Sequence, residues 1–298
     1  MGWTYSRDAP DTLLEVFSVR MYSDEIDDIS AAEFDGEVRV TDIATDINLY
    51  NPKEGEKPVL PDGTLRLTGP FRCIVAPYAC VHLNLVEKSR NLEVCNGEFE
   101  LSPYVNVVPY DERLSTLVSG KHGFAIINFM LYSCAVQAIV EVSLVTTDHV
   151  HGNDLISCPA SLYGYIHASN DLRSYNCAYD LKFFQSVLFN VSKENPKEPN
   201  TSDGSKIVPL SRSIVAVPIK SQLIIKAQLF DAGTEANIAD DTASFMAATS
   251  GSESRIIGGI MVKVDWLIDP FGTPGTIRPC TGGKSTSRRK RLSEAMSK

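Results

Sequence analysis

The sequence lacks any Cys-x-x-Cys pair, and its seven cysteines (73, 80, 95, 134, 158, 177 and 280) form an odd, scattered set. This pattern argues against a disulfide framework and against a structural zinc site, and it favours reducing surroundings. The N-terminus has no basic stretch followed by an apolar core, so no secretory signal is predicted. We therefore expect the protein in the cytoplasm, the nucleus or both.

Recognisable catalytic signatures are also missing. There is no Gly-x-Ser-x-Gly elbow, His-Glu-x-x-His helix, phosphate-binding loop or dinucleotide fingerprint. The sequence thus predicts no cofactor and favours a protein without enzymatic activity.

One apolar run, residues 124–145, has nearly the length of a membrane span. Asn128, Gln137 and Glu141 interrupt it, and its second half alternates strictly between apolar and other residues. We interpret the run as buried strands and predict no transmembrane segment.

The net charge of −9 conceals a basic C-terminal segment on a still more acidic body. The acidic body argues against nucleic-acid binding by the folded part. After Pro270 the chain is rich in Gly, Thr, Pro and Ser, and residues 271–298 are predicted to be a disordered tail. Its basic block suits a contact with RNA, with importin or with an anionic membrane, or simply a solvated tail. The block comprises Lys284, Arg288, Arg289, Lys290 and Arg291.

Period-two alternation predicts an all-β, antiparallel protein. It is clear at residues 136–144, at Val38 and Val40, and at residues 262–266. Helical periodicity is hard to find, and residues 12–14 and 181–187 are the ambiguous segments.

An internal similarity suggests two β-sandwich-like modules. Arg72-Cys-Ile-Val-Ala recurs as Arg212-Ser-Ile-Val-Ala, and Gly36-x-Val-x-Val-x-Asp recurs as Gly164-x-Ile-x-Ala-x-Asn. We predict a flexible N-terminus (1–11), a first module (12–147) and a second module (148–270), with a connector at 148–158. The modules form either two tandem sandwiches or one larger sandwich that exchanges strands about a pseudo-twofold axis. Gly69, Pro70, Arg72 and Arg212 mark the repeat.

Several clusters could bind a ligand. His149, His151 and Asp154 are candidate metal ligands, although we favour an exposed loop between the modules. The acidic pairs in residues 24–28 and 240–241 could bind calcium, but solvated loops explain them better. Tyrosines 104, 110, 163, 165 and 175 could line a sugar-binding surface, although packing on a sheet face is the simpler interpretation.

The stretch 65–75, Leu-Arg-Leu-Thr-Gly-Pro-Phe-Arg-Cys-Ile-Val, resembles the signature of a domain of unknown function that is abundant in grasses. Weaker similarity extends over roughly residues 12–268. Members of that family also follow the rRNA N-glycosylase domain of jasmonate-induced ribosome-inactivating proteins. The resemblance therefore implies a plant stress or defence setting.

The resemblance does not transfer the glycosidase activity. The one Glu-x-x-Arg match, Glu87 to Arg90, follows a predicted strand and begins a polar loop, where an active-site helix is needed. We expect an interaction or regulatory protein that binds a protein partner, in a setting such as translation. An rRNA N-glycosylase and a carbohydrate-binding module are the alternatives.

Overall fold

Residues 11–50, 59–76, 78–101, 108–145, 159–172, 181–202 and 204–271 are described by the structure, a computed structural model. These ranges contain strands and two short 3-10 helices, Ile29–Ala31 and Leu181–Phe184. The prediction of an all-β protein is confirmed. In chain order the strands are β1 (Asp11–Tyr22), β2 (Phe34–Thr41), β3 (Asp46–Tyr50), β4 (Ile74–Val75), β5 (Ala79–Glu87), β6 (Leu92–Leu101), β7 (Arg113–Ser119), β8 (Phe124–Leu144), β9 (Leu162–Asn170), β10 (Ser186–Val191), β11 (Asn200–Ser202), β12 (Ser205–Ile207), β13 (Ile214–Pro218), β14 (Gln222–Asp231), β15 (Asn237–Met246), β16 (Ser250–Ile257) and β17 (Ile260–Leu267).

The strands form three antiparallel sheets. Two of them have four strands each, in the orders β3-β2-β5-β6 and β10-β9-β14-β15. The third sheet has nine strands arranged around β8.

Strand β8 is a single strand of 21 residues that serves both halves of the molecule. Its first part pairs with β1 and β7, and its second part pairs with β13 and β17. The apolar run at 124–145, predicted to form buried strands, forms one long strand that ends at Leu144. We call β1–β7 with the first part of β8 the first half, and the second part of β8 with β9–β17 the second half.

Apolar side chains on alternate positions hold the layers together. In β5 the even positions face outward while Ala79, Val81, Leu83 and Leu85 are buried, because successive side chains of a strand point to opposite faces. One large hydrophobic cluster fills the first half and another fills the second half. A smaller cluster contains residues of both halves, among them Phe17, Tyr132 and Ile214. The halves thus share apolar contacts as well as a strand.

Some local predictions need correction. The stretch 192–205, whose Pro, Asn, Asp and Gly residues predict a surface loop, contains β11 and the start of β12. Asp240 and Asp241 belong to β15 and not to a loop, since Ala239, Ala243 and Phe245 of the same strand are buried. The ambiguous segment 181–187 is a 3-10 helix followed by β10.

The internal repeat and the module boundaries stay predictions. Of the two segments that suggested the repeat, the first contains β4, which pairs with β1, and the second contains β13, which pairs with β8. The predicted connector at 148–158 lies outside the described residues. Among the helices that the structure describes, none is long and apolar enough to cross a membrane.

Candidate functional site

Arg72 lies just before β4 and forms a buried, bidentate ion pair with Asp42. Its two terminal nitrogens each donate to one carboxylate oxygen of Asp42, both at 2.7 Å, and the backbone N–H of Val75 donates to the same carboxylate at 3.0 Å. Burial raises the pKa of Asp42, but these hydrogen bonds outweigh it and hold the pKa below its usual value of 3.8. The pair fixes the turn after β2 against the start of β4.

Arg212 stands in the matching place before β13, but its carboxylate comes from the first half. It donates to Glu15 of β1 and to the carbonyl oxygen of Val16, the latter at 2.7 Å. Glu15 also accepts from Ser186 Oγ at 2.6 Å and from the backbone N–H of Ala216 at 2.8 Å. Burial raises the pKa of Glu15, while the guanidinium and these donors act against the rise. Both arginines therefore have structural roles and present no free charge to a substrate.

Exposed apolar side chains surround the first of these pairs. Phe71 is 64% exposed and Phe271 is 40% exposed, and their ring centroids lie 5.8 and 4.7 Å from the guanidinium carbon of Arg72. We call Phe71 and Phe271, which lie against the guanidinium of buried Arg72, the Phe71 patch.

A depression of about 410 Å³ adjoins this patch and draws its walls from both halves. The first half contributes the segment around the cis peptide bond between Gly69 and Pro70, and the second half contributes residues 210–213. Two further cavities, of about 260 and 390 Å³, continue between the halves and share Arg66, Asn190 and Lys197 among their lining residues. A groove lined by both polar and apolar residues therefore runs along the junction of the halves.

The outer face of the sheet β10-β9-β14-β15 carries aromatic rings in stacked pairs. Tyr163 stacks on Phe230 with 5.1 Å between ring centroids, and Tyr165 stacks on His167 with 4.8 Å. Burial lowers the pKa of His167, and the nearby charge of Lys226 acts in the same direction. We call this surface the tyrosine face.

On the outer face of the other four-stranded sheet, Cys80, His82 and Glu98 bring three metal-ligating atoms together. The three atoms lie within 4.8 Å of one another, and His82 Nδ1 is 2.9 Å from a Glu98 oxygen. In the described part of the chain, this is the one group in which three such residues meet.

Comparison with known protein families gives a match over most of the chain. The profile of the domain of unknown function DUF6598 matches residues 13–265. The chain belongs to this family. No curated protein matches this chain.

Solved structures resemble the DUF6598 chain only remotely. A fragment of Extended-Synaptotagmin 2 with its SMP domain and two C2 domains aligns at 7% identity and a TM-score of 0.25, covering 89% of this chain and 58% of that one. A second Extended-Synaptotagmin 2 structure, of the two C2 domains without the SMP domain, aligns at 6% identity and a TM-score of 0.25, covering 89% and 93% of the two chains. Human GIVD cytosolic phospholipase A2 aligns at 8% identity and a TM-score of 0.24, covering 87% and 33%. The DUF6598 chain thus spans less than two thirds of the first of these structures, and TM-scores at this level carry no argument.

Several residues singled out in the sequence lie outside the described part of the chain. These are the candidate metal ligands His149, His151 and Asp154, the basic residues Lys284, Arg288, Arg289, Lys290 and Arg291, and the tyrosines at 104 and 175. Of the remaining tyrosines, Tyr163 and Tyr165 share one face of β9, whereas Tyr110, which is 47% exposed, precedes β7.

Acidic side chains in the cluster at residues 24–28 contact other residues of the protein. Asp28 accepts hydrogen bonds from the backbone N–H and the hydroxyl of Ser30 and so caps the first 3-10 helix. Glu25 contacts His122 Nδ1 at 2.8 Å, and Asp27 lies 3.9 Å from Arg90. These contacts support the interpretation of the cluster as a solvated loop.

The Glu-x-x-Arg match does not lie on a helix. Glu87 ends β5, and the backbone N–H groups of Ser89 and Arg90 donate to its carboxylate at 3.0 and 2.8 Å. Residues 88–91 form a turn. The prediction that this segment follows a strand and begins a loop is confirmed.

Sequence reasoning missed the Phe71 patch and the Cys80, His82 and Glu98 group. An apolar residue beside a proline gives no sign that it will be exposed. The Cys-x-His spacing was visible, but the glutamate comes from the neighbouring strand.

Proposed function

We propose that this DUF6598 chain is a non-catalytic binding protein that recognises a protein partner through the Phe71 patch. The exposure of Phe71 and Phe271 beside the fixed guanidinium of Arg72 carries this proposal. Aromatic residues, phenylalanine among them, are enriched in protein interfaces. An exposed apolar cluster rimmed by polar residues is typical of an interaction site.

The surroundings of the patch favour the binding of a specific partner over non-specific association. Arg72 is buried and held by Asp42, so it fixes the chain beside Phe71 and little freedom is lost there on binding. The adjoining depression of about 410 Å³ offers room for an anchoring side chain of the partner. A net charge of −9 favours association with a basic partner. A role in plant stress or defence, and a partner in translation, are the finer parts of the proposal and rest on the sequence resemblance alone.

Site-specific crosslinking tests the proposal. A photoreactive phenylalanine analogue at position 71 is expected to capture a defined protein. The same analogue at Ile256, which is 65% exposed on β16, is not expected to capture that protein. The captured protein is then purified, and its affinity is measured by calorimetry. Phe71→Ala should weaken binding by about tenfold or more, as expected for an interface anchor.

The matched control is Ile256→Ala, which removes an equally exposed apolar side chain from another surface and should leave the affinity unchanged. If the two positions capture the same proteins, or if Phe71→Ala binds the purified partner as tightly as the wild type, the patch is not the binding surface.

A carbohydrate-binding module is the second candidate, and the tyrosine face favours it. Tyr163 and Tyr165 lie on one face of β9 and are half-buried, with Phe230 and Lys226 on the adjacent β14. Aromatic rings beside polar side chains can stack on sugar rings while the polar groups bind hydroxyls. A glycan array should then give signals that Tyr163→Ala and Tyr165→Ala abolish and that Tyr110→Ala leaves intact. An array without signals would rule this candidate out.

The rRNA N-glycosylase alternative gains no support from the described residues. Glu87 and Arg90 lie at a strand end and a turn. A depurination assay on intact ribosomes remains its test.

A further inference from the structure

We propose that Cys80, His82 and Glu98 bind a divalent transition metal ion of the zinc class on the outer face of the sheet β3-β2-β5-β6. This site is distinct from the Phe71 patch and from the tyrosine face. Its residues differ from His149, His151 and Asp154, whose spacing suggested metal ligands.

The sheet itself places the three side chains. Cys80 and His82 alternate with the buried residues of β5, so both lie on its outer face. The register of β5 and β6 puts Glu98 directly opposite His82. Because strands fix the direction of each side chain, the three ligands are positioned without any loop having to fold around the ion.

The distances suit one small ion. Around a tetrahedral zinc ion, with ligand bonds of about 2.0–2.3 Å, the ligand atoms lie about 3.3–3.6 Å apart. The three atoms here lie within 4.8 Å of one another. His82 Nδ1 and the Glu98 carboxylate are 2.9 Å apart, a hydrogen-bond distance, so an ion would take the place of the proton between them. Small rotations of the Cys80 and Glu98 side chains therefore suffice to bring all three onto one ion.

The ligand types select the metal. A thiolate and an imidazole favour zinc-class ions, whereas magnesium and calcium prefer sites made of oxygen atoms. Three protein ligands leave a fourth position for water or for a group of a partner molecule, as in the open class of zinc sites. The geometry points to such an open site and not to a closed structural one.

The neighbouring charges also favour a cation. Glu100 lies opposite Cys80 on β6 and adds a second carboxylate near the thiol. The nearest basic side chain on β2, Arg39, is paired with Asp46 at 2.6 Å and with Glu37 at 3.4 Å. Its charge is thereby offset. A dication at the site would in turn offset the carboxylates of Glu98 and Glu100.

Metal titration of the full-length chain tests the site, with Co²⁺ as the probe and Zn²⁺ as the competitor. The wild type should bind one equivalent of Co²⁺ with the charge-transfer absorption of a thiolate ligand, and Zn²⁺ should abolish that absorption. Cys80→Ser should remove the charge-transfer absorption. His82→Asn and Glu98→Gln should each weaken the affinity for Co²⁺ by about tenfold or more. Mutating residues that only hydrogen-bond to a metal ligand already lowers metal affinity by about that factor.

The control variant is Cys134→Ser, which removes an exposed cysteine of β8. It should leave the stoichiometry and the absorption unchanged. Circular dichroism of each variant establishes that it is folded, and Phe71→Ala should bind Co²⁺ like the wild type. Absence of stoichiometric binding by the wild type would overturn the proposal, as would an absorption that persists in Cys80→Ser.

Discussion

The guanidinium of Arg212 donates to the carboxylate of Glu15, which lies 197 residues earlier in the chain. Arg72 begins the same Arg-x-Ile-Val-Ala pattern, yet it finds its carboxylate, Asp42, only 30 residues earlier. One arginine therefore stabilises its own half, whereas the other joins the two halves. The side-chain amide of Asn170 reinforces the junction by donating to the hydroxyl of Tyr132 at 2.6 Å.

Breaking the pair between the halves should cost much of the protein's stability. Glu15→Gln leaves Arg212 buried without a counter-charge, and the free energy of unfolding should fall by about 3 kcal/mol or more. Urea unfolding of the wild type and the variant measures the difference. The same substitution in an exposed pair, Glu235→Gln opposite Lys193, should change the stability by less than about 1 kcal/mol.

A double variant separates the cost of an unpaired charge from a loss of packing. Glu15→Leu combined with Arg212→Met removes both charges and should be more stable than Glu15→Gln. If the double variant is the least stable of the three, the hydrogen bonds to the backbone matter more than the charge balance.

The pair between Asp42 and Arg72 should make stability depend on pH in the acid range. The folded-state pKa of Asp42 lies below its usual value of 3.8, so the unfolded chain takes up this proton at a higher pH than the folded chain does. Protonation therefore favours unfolding. The contribution is fully present above about pH 4 and is lost as the pH falls through the folded-state pKa.

The comparison with Asp42→Asn isolates this effect from the other carboxyl groups. The stability difference between wild type and variant should be constant from about pH 7 to about pH 5 and should shrink below about pH 4. Urea unfolding at a series of pH values measures it. A difference that stays constant down to about pH 3 would mean that folding does not lower the pKa of Asp42.

Gly36 should tolerate no side chain. It has φ +111°, and a Cβ atom there would lie 1.9 Å from the carbonyl oxygen of Asn84 on β5. Gly36→Ala must therefore displace β2 from β5, and we expect it to prevent folding or to lower the melting temperature severely. Gly204 has φ +79° with no atom within 4 Å of a Cβ, so Gly204→Ala should cost only the backbone strain of about 1–2 kcal/mol. Equal melting temperatures for the two variants would contradict this account.

The features that follow from local alternation could be predicted from the sequence. Burial of Leu83 and Leu85 in β5, and of Leu223 and Ile225 in β14, follows from their positions in alternating strands. The turn after Glu87 follows from its polar neighbours. Each of these depends on residues that are close together in the chain.

The partners of the charged residues could not be predicted in this way. Arg72 and Arg212 have the same local sequence, so nothing nearby distinguishes an arginine that binds within its half from one that binds across the junction. In the same way, the metal site needs Glu98, whose position opposite His82 is set by the register of β5 and β6. Pairings of this kind depend on how distant strands are arranged, and a single sequence does not contain that information.

The cysteines of the described residues should differ sharply in their rates of alkylation, because the thiolate is the reactive form and must be accessible. Cys134 is exposed and should react first. Burial raises the pKa of the Cys80 thiol, and Glu98 and Glu100 raise it further, so Cys80 should react more slowly. Burial raises the pKa of Cys73 far above 9.0 and that of Cys95 to about 12, so both should react only after unfolding.

Mass spectrometry of peptides after timed treatment with iodoacetamide resolves each cysteine, and the urea-unfolded protein provides the reference in which all of them react. Addition of Zn²⁺ should slow alkylation of Cys80 and leave that of Cys134 unchanged, because only the first thiol is a proposed ligand. Labelling of Cys73 or Cys95 in the native protein would show that the strands around them open readily. Equal protection of Cys80 and Cys134 by Zn²⁺ would mean that the ion acts on cysteines without regard to the site on β5 and β6.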